Sequence, residues 1–243
     1  MGKLTVVGIG PGDRDDLTLR ADRALQESDV IVGYHVYVDL VRPWYPDREY
    51  LTTPMTREVS RCRMALEAAE KGRRVVMICS GDAGVYGMAS LCFELRGDRD
   101  TPEIEIVPGL TSALSGGALL GAPLTHDFCV ISLSDLMTPW ETIEKRLRAA
   151  AAADFVICLY NPSSHKRKDY LARACDILLE HAAPKTVCGI ARNIGREGER
   201  TELLTLTQLR DTPADMFSTV FIGNGDTRVI GGKLVTPRGY HDD

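Results

Sequence analysis

Short runs of Val, Ile and Leu recur along this chain, and most of them end in a loop rich in Gly, Pro, Ser or Asn. Leu4-Thr5-Val6-Val7 leads into Gly8-Ile9-Gly10-Pro11-Gly12-Asp13, and Arg74 to Cys79 leads into Ser80-Gly81-Asp82-Ala83-Gly84. Ile104 to Val107 meets Pro108-Gly109, and Phe155 to Leu159 meets Tyr160-Asn161-Pro162. Between the runs the apolar positions change to helical spacing. Leu17, Ala21, Ala24 and Leu25 predict a helix over 17–26. Val59, Cys62, Leu66 and Ala69 predict another that stops near Gly72, and a small-residue helix follows from Thr111. Asp29 to Gly33 reads as the second strand. Strand-loop-helix units in this order imply a parallel sheet with helices on its faces.

The second half has an α/β core of its own. Strands are predicted at Phe128 to Leu133, Phe155 to Leu159, Val187 to Ala191 and Ser218 to Ile222, with a further one over Leu203 to Leu206 and a loop-rich tail. Thr138-Pro139-Trp140-Glu141 has the form of a helix start, with Thr138 as cap, Pro139 in the first helical position and Glu141 completing a capping box. The stretch from Gly116-Gly117 to Gly121-Ala122-Pro123 is the expected boundary, giving domains 1–120 and 121–243. No linker between them is long or polar enough to suggest independent motion.

Composition narrows the function classes. The 243 residues carry a net charge of −5, which disfavours a nucleic-acid binder. No apolar stretch is long enough for a membrane span. Met1-Gly2-Lys3 runs straight into a strand, so the expectation is a cytoplasmic protein. The seven cysteines are dispersed with no C-x-x-C pair, and no metal site is expected. Basic residues cluster at Arg57, Arg61 and Arg63 and again at Lys166, Arg167 and Lys168. Each cluster is either a solvated helix face or a clamp for an anionic ligand.

The loop at 8–13 nearly matches a dinucleotide fingerprint and then departs from it. Asp13 stands where G-x-G-x-x-G requires glycine, and Pro11 stiffens the turn. Asp29 precedes the second strand, whereas a ribose-binding acid follows it. A G-K-[ST] phosphate loop is absent. The loops at 8–13, 80–84, 108–112 and 160–164 lie in both halves, which predicts a shared cleft that takes a small ligand.

Taken together and in this order, Gly8-Ile9-Gly10-Pro11-Gly12-Asp13, Ser80-Gly81-Asp82, Pro108-Gly109-Leu110-Thr111-Ser112 and Leu159-Tyr160-Asn161-Pro162 resemble the tetrapyrrole methylases, from Leu4 to Tyr240. Longer runs resemble the precorrin-3B C-17 methyltransferase branch of that family. They are Gly121 to Phe128, Ile131-Ser132-Leu133-Ser134-Asp135-Leu136, Leu159 to Ser164, and Thr236-Pro237-Arg238-Gly239-Tyr240. One departure is Ala83, where many of the family have proline.

The resemblance implies two α/β domains with the active-site cleft between them, S-adenosylmethionine as cofactor and an anionic tetrapyrrole as substrate. It also implies a homodimer. Pro11, Gly81, Asp82, Val85, Thr111, Ser112, Asn161 and, less directly, Ala191 match cofactor-lining positions. Asp82 either bonds a cofactor amine or ribose or caps the following helix. Thr111 and Ser112 either contact the cofactor or cap the helix they begin, and Asn161 either contacts it or turns the chain. The implied reaction is methyl transfer to C-17 with ring contraction, which needs alignment of nucleophile, methyl and sulfur and a proton acceptor. His35 is one candidate base and the pair His126 and Asp127 another, against a packing or surface-loop role for each. Tyr34 and Tyr86 are candidates to stack on the macrocycle, and Arg57, Arg61, Lys166 and Arg167 to grip its carboxylates. The same chemistry on the cobalt-containing macrocycle is the alternative. Methylation of a protein side chain and a non-catalytic tetrapyrrole-binding module stand behind it.

Overall fold

The computed structural model describes residues 2–164 and 167–240. They form two compact units, Met1–Thr111 and Ser112–Asp243. Among the described residues no helix is long and apolar enough to cross a membrane.

The first unit contains β1 (Lys3–Gly8), α1 (Leu19–Glu27), β2 (Val30–Tyr34), α2 (His35–Val41), β3 (Glu49–Thr53), α3 (Glu58–Glu70), β4 (Arg74–Cys79), α4 (Ala89–Arg96) and β5 (Glu103–Val107). Its five strands form a sheet of order β3-β2-β4-β1-β5, and every pairing is parallel. The three inner strands β2, β4 and β1 are buried on both faces, which is why they read as continuous apolar runs, while the edge strands β3 and β5 keep polar residues such as Glu49, Glu103 and Glu105. Leu4 and Val6 pack with α3 and α4 on one face, while Val7 packs with α1 and α2 on the other. The helix predicted from residue 17 begins at Leu19, because Thr18 is extended and its hydroxyl accepts from the Ala21 N–H at 3.1 Å.

The second unit contains α5 (Ser112–Leu120), β6 (Gly121–Ala122), β7 (Phe128–Ser132), α6 (Trp140–Ala152), β8 (Val156–Tyr160), α7 (Tyr170–Leu178), β9 (Val187–Arg192), β10 (Arg200–Thr205), α8 (Leu206–Arg210), β11 (Ser218–Ile222), β12 (Arg228–Ile230) and β13 (Lys233–Val235). Its main sheet has order β10-β9-β11-β8-β7 and is mixed. β7 and β8 are parallel, while β11 runs antiparallel to both β8 and β9, so β7, β8 and β9 end at one edge. β12, β13 and β6 form a small sheet, so part of the tail predicted as loop is strand. One face of the main sheet carries a core with α6, α7 and α8, and the other packs α5 through Ala113, Leu120, Ala191 and Phe221.

Two local expectations change. Pro139 itself occupies the cap position of α6 with no side-chain cap bond, and its carbonyl accepts from Thr142 N–H at 3.0 Å. Thr138 is therefore one residue too early to cap, and the capping box does not form. Gly116 and Gly117 lie inside α5, where a Cβ on Gly116 would come within 2.9 Å of Ile194 and 3.1 Å of Phe221. Those glycines set helix-to-sheet distance; the units divide earlier, after Thr111.

Candidate active site

Because all five strands of the first unit are parallel, their following loops gather at one sheet edge, where open α/β folds hold ligands. Three of those loops are in main-chain contact. Gly10 and Gly81 exchange two backbone hydrogen bonds, at 3.1 and 2.7 Å. A Cβ on Gly8 would lie 2.6 Å from both Gly81 O and Gly109 N, and one on Gly109 would lie 2.3 Å from Gly81 O. No side chain fits at Gly8 or Gly109, so glycine here serves the close approach of three backbones.

Asp82 ties the same loops together. Its Oδ1 accepts from the Gly84 and Val85 N–H groups at 2.7 and 3.1 Å, and its Oδ2 accepts from Gly109 N–H at 2.9 Å. It does not cap the following helix, which begins only at Ala89 with Met88 at its cap position; instead it braces the turn at 82–85 and a loop 27 residues away. Asp13 is a capping residue: its Oδ1 accepts from Asp15 N–H at 2.9 Å and starts a 3-10 turn over Arg14–Asp16. The first α-helix begins only at Leu19, so a single 3-10 turn, and no α-helix N-terminus, meets the loop at its sixth residue. That is the physical reason the dinucleotide fingerprint breaks at Asp13.

The other first-unit candidates follow strands at this same edge. Pro11 is buried in the loop after β1. Val85 is half-buried, and Tyr86 follows it with a left-handed φ of 54° and its side chain 55% exposed. A bulky residue in that region carries backbone strain. Tyr34 ends β2, with its ring 4.4 Å from that of His35, and His35 is exposed at the start of α2. Thr111 is half-buried beyond Gly109.

The arginine clamp is corrected. Helix α3 starts at Glu58, so Arg57 lies outside it and is exposed, while Arg61 is only 6% exposed. Arg61 donates to Thr53 Oγ1 at 2.8 Å and to Pro54 O at 3.1 Å. Its guanidinium fixes the chain leaving β3, and Arg57 alone of the pair is presented to solvent. A groove of about 280 Å³ lined by Lys3, Arg20, Arg74 and Glu105 lies against the amino-terminal halves of β1 and β4, away from these loops. Lys3 and Arg20 are engaged with Glu105 and Arg74 with Asp29, while Arg23, also in the lining, donates to Leu19 O.

In the second unit, Asn161 follows β8 and Ala191 lies near the end of β9, so both are at the edge where β7, β8 and β9 finish. Asn161 is left-handed, φ 54°, and donates from Nδ2 to Ser132 Oγ at 2.9 Å. It both turns the chain and joins the loops after β7 and β8. Ala191 is fully buried against the α5 core in a strand paired on both sides, by β10 and β11, so neither its side chain nor its backbone is presented to solvent. Ser112 begins α5, and the next N–H, that of Ala113, donates to the Tyr160 hydroxyl at 2.7 Å.

His126 and Asp127 precede β7 and so stand at the opposite edge of this sheet, a five-residue strand or roughly 16 Å from Ser132. The Asp127 N–H donates to His126 Nδ1 at 3.1 Å, and the carboxylate lies 4.0 Å from the ring. Within this unit they are separated from Asn161, which removes the geometric case for them as the base beside that loop. Lys166 lies outside the described residues.

Arg167 is corrected in another way. Its Nη1 donates to Asp135 Oδ1 and Ser134 Oγ, both at 2.9 Å, and its Nε donates to Ser164 Oγ at 3.0 Å. The Tyr170 hydroxyl donates to Asp135 Oδ2 at 2.6 Å. That bond, and then Arg167, hold the Asp135 carboxyl below its ordinary range, and Asp135 pushes the Tyr170 phenol up. Arg167 is thus committed to its own chain. Ser132, Ser134, Asp135, Tyr160 and Tyr170 received no role from sequence. The only signal was that two of the runs resembling the C-17 branch, 131–136 and 159–164, contain most of them.

Residues 3–210 match the family model described as Tetrapyrrole (Corrin/Porphyrin) Methylases. The chain belongs to this family. This tetrapyrrole methylase is 47% identical over 238 residues to the "Probable cobalt-factor III C(17)-methyltransferase" of Salmonella typhimurium, covering 98% of this chain and 99% of that one. It is 39% identical over 249 residues to the "Precorrin-3B C(17)-methyltransferase" of Sinorhizobium sp, covering 98% and 97%. Among solved structures, the methyltransferase CobJ superposes on this tetrapyrrole methylase with a TM-score of 0.91 at 40% identity, covering 98% and 100%.

Proposed function

We propose that this protein transfers a methyl group from S-adenosylmethionine to C-17 of a tetrapyrrole macrocycle in cobalamin biosynthesis, with contraction of the ring. The observation that carries this reading is the main-chain-rich edge formed where Gly8, Gly81 and Gly109 meet. Its support is the whole-length similarity to C(17)-methyltransferases. The residues assigned to the cofactor (Pro11, Gly81, Asp82, Val85, Thr111, Ser112, Asn161 and Ala191) include one carboxylate and no cation. Such a donor set suits an adenosyl sulfonium, which has no phosphate, and would leave a pyrophosphate uncompensated. Asp82 holds the loops that meet the cofactor and does not itself need to touch it. S-adenosylmethionine, when bound, supplies an electrophilic methyl group.

The chain's own task is then alignment and proton removal. His35 is the base in this reading, since it is exposed at the same edge as the glycine loops. Tyr34 and the strained Tyr86 offer ring faces there, and Arg57 offers a guanidinium with no ion pair among the described residues. A homodimer and a cytoplasmic setting belong to the same proposal.

The cobalt state of the macrocycle is part of the substrate question. The higher identity to the cobalt-factor III relative favours the cobalt-containing macrocycle over precorrin-3B. The test is incubation with methyl-labelled S-adenosylmethionine and each macrocycle in turn, followed by mass analysis. Label in a contracted product of one of them is the expected result. Binding of both macrocycles without any label would overturn the enzyme reading, and a labelled, uncontracted product would remove the ring contraction.

A further inference from the structure

The loop after β7 has a heavily tied base and an untied tip. At the base, Ser134 N–H donates to Ser132 Oγ at 3.2 Å, and Asp135 is held by Arg167 and Tyr170 at 2.9 and 2.6 Å. The far end enters α6 at Trp140, whose ring packs on Tyr170 at 4.5 Å and lies under the Arg173 guanidinium at 4.1 Å. Between these anchors Leu136 is 70% exposed and Met137 is 95% exposed. Two adjacent large apolar side chains held in water on a braced loop gain nothing for the fold, since burial is what makes such groups favourable. Their gain must come from something that covers them.

The position of the loop says what that is. Its base shares Ser132 Oγ with Asn161, so the tip is mounted on the very loop pair assigned to the ligand edge of this unit. The two runs joined by the network, 131–136 and 159–164, are also runs that set this chain's resemblance apart from the general family pattern. We propose that Leu136 and Met137 lie against an apolar ring face of the macrocycle and select it. Asp135, through Arg167 and Tyr170, is the residue that positions them. This rests on the tetrapyrrole substrate proposed above. A macrocycle with its carboxylates on the rim offers such side chains an apolar surface, whereas the cofactor's charged methionine end does not.

The test is the double variant Leu136→Ser/Met137→Ser and, separately, Asp135→Ala, assayed with the macrocycle that the labelling experiment identifies. For the double variant KM for the macrocycle should rise about 10- to 100-fold. The larger part of the change should fall in KM and not in kcat. The Kd for S-adenosylhomocysteine should stay within about twofold of the unaltered protein, as should the sedimentation behaviour and the urea midpoint. Asp135→Ala should show the same KM-weighted split. An unchanged KM in the double variant would overturn the proposal. So would a shift to a smaller species in sedimentation, which would make the tip a subunit contact, or a rise in the S-adenosylhomocysteine Kd matching the rise in KM. Failure of the underlying substrate reading is seen separately, because the unaltered protein would then label no macrocycle.

Discussion

Replacing Asp82 separates a structural carboxylate from a ligand-binding one. In the folded chain it accepts three main-chain N–H groups, at 2.7, 3.1 and 2.9 Å, and one of these reaches the loop after β5. Asp82→Ala removes both acceptor oxygens and with them all three bonds. Hydrogen bonds to a charged group contribute about 1.5–3 kcal/mol each, and donors left buried cost about 1–3 kcal/mol. Gly84 is exposed and Val85 half-buried, so water replaces part of those two bonds. The Gly109 amide sits where Gly8 and Gly81 backbones crowd it, so its loss is felt more fully. The expected destabilisation is then roughly 2–4 kcal/mol, with Asp82→Asn intermediate because its one carbonyl oxygen cannot serve both loops. Urea denaturation followed by far-UV circular dichroism gives this number at the midpoint, provided the slope is unchanged. The cofactor Kd should worsen in both variants only as far as the loops loosen, so partial rescue is expected when a stabilising osmolyte is added. A loss of stability below about 0.5 kcal/mol together with abolished S-adenosylhomocysteine binding would refute the reasoning and return Asp82 to the cofactor.

Four further outcomes follow from the same geometry. Arg61→Ala should destabilise by about 2–4 kcal/mol in thermal unfolding, because it strips the buried Thr53 hydroxyl and the Pro54 carbonyl of their donor. Arg57→Ala should stay within about 0.5 kcal/mol and act on the macrocycle KM, and equal stability losses for the two would contradict the assignment. Ser115→Ala should raise stability by about 1 kcal/mol, since the Ser115 hydroxyl is buried with no hydrogen-bond partner among the described residues and alanine is the better helix former. A lowered melting temperature would instead indicate a partner supplied by water or ligand. Asp135 has a folded-state pKa below its ordinary 3.8, so it contributes stability above that value and loses it as pH falls through the lower folded value. The urea midpoint of Asp135→Asn should therefore fall less between pH 5 and pH 3 than that of the unaltered protein. Parallel acid curves would show that the Tyr170 and Arg167 contacts do not stabilise the folded carboxylate.

Much of the fold is local and was legible in the chain. β1, β4, β8, β9 and β11 coincide with apolar runs to within a residue or two, because a strand buried on both faces needs nothing but continuous apolar side chains. The loops that end these runs were equally plain, since glycine, proline and asparagine punctuate the backbone on their own. The order of those loops sufficed to suggest the family, and the family match over residues 3–210 agrees. Sheet pairing was less readable: that β11 runs antiparallel between β8 and β9 depends on which distant strands bury each other.

Side-chain roles were the part that only tertiary structure decided. Asp82 meets an amide 27 residues away, Arg167 a carboxylate 32 residues away and Tyr170 the same carboxylate 35 residues away. Nothing in the local sequence distinguishes such a partnered charge from one left for a ligand. His126 and Asp127 were plausible as neighbours in the chain, and a single strand's length places them at the edge of the sheet opposite Asn161. Arg57 and Arg61 looked like one clamp until the helix began between them and turned the second into the core. What the sequence by itself determined was where the backbone turns and which segments must be buried, because those follow from each residue's own conformational and solvation preferences. Which polar side chains remain for a substrate was decided by the tertiary fold, because a hydrogen-bonding group is spent or spared only by what the rest of the chain brings beside it.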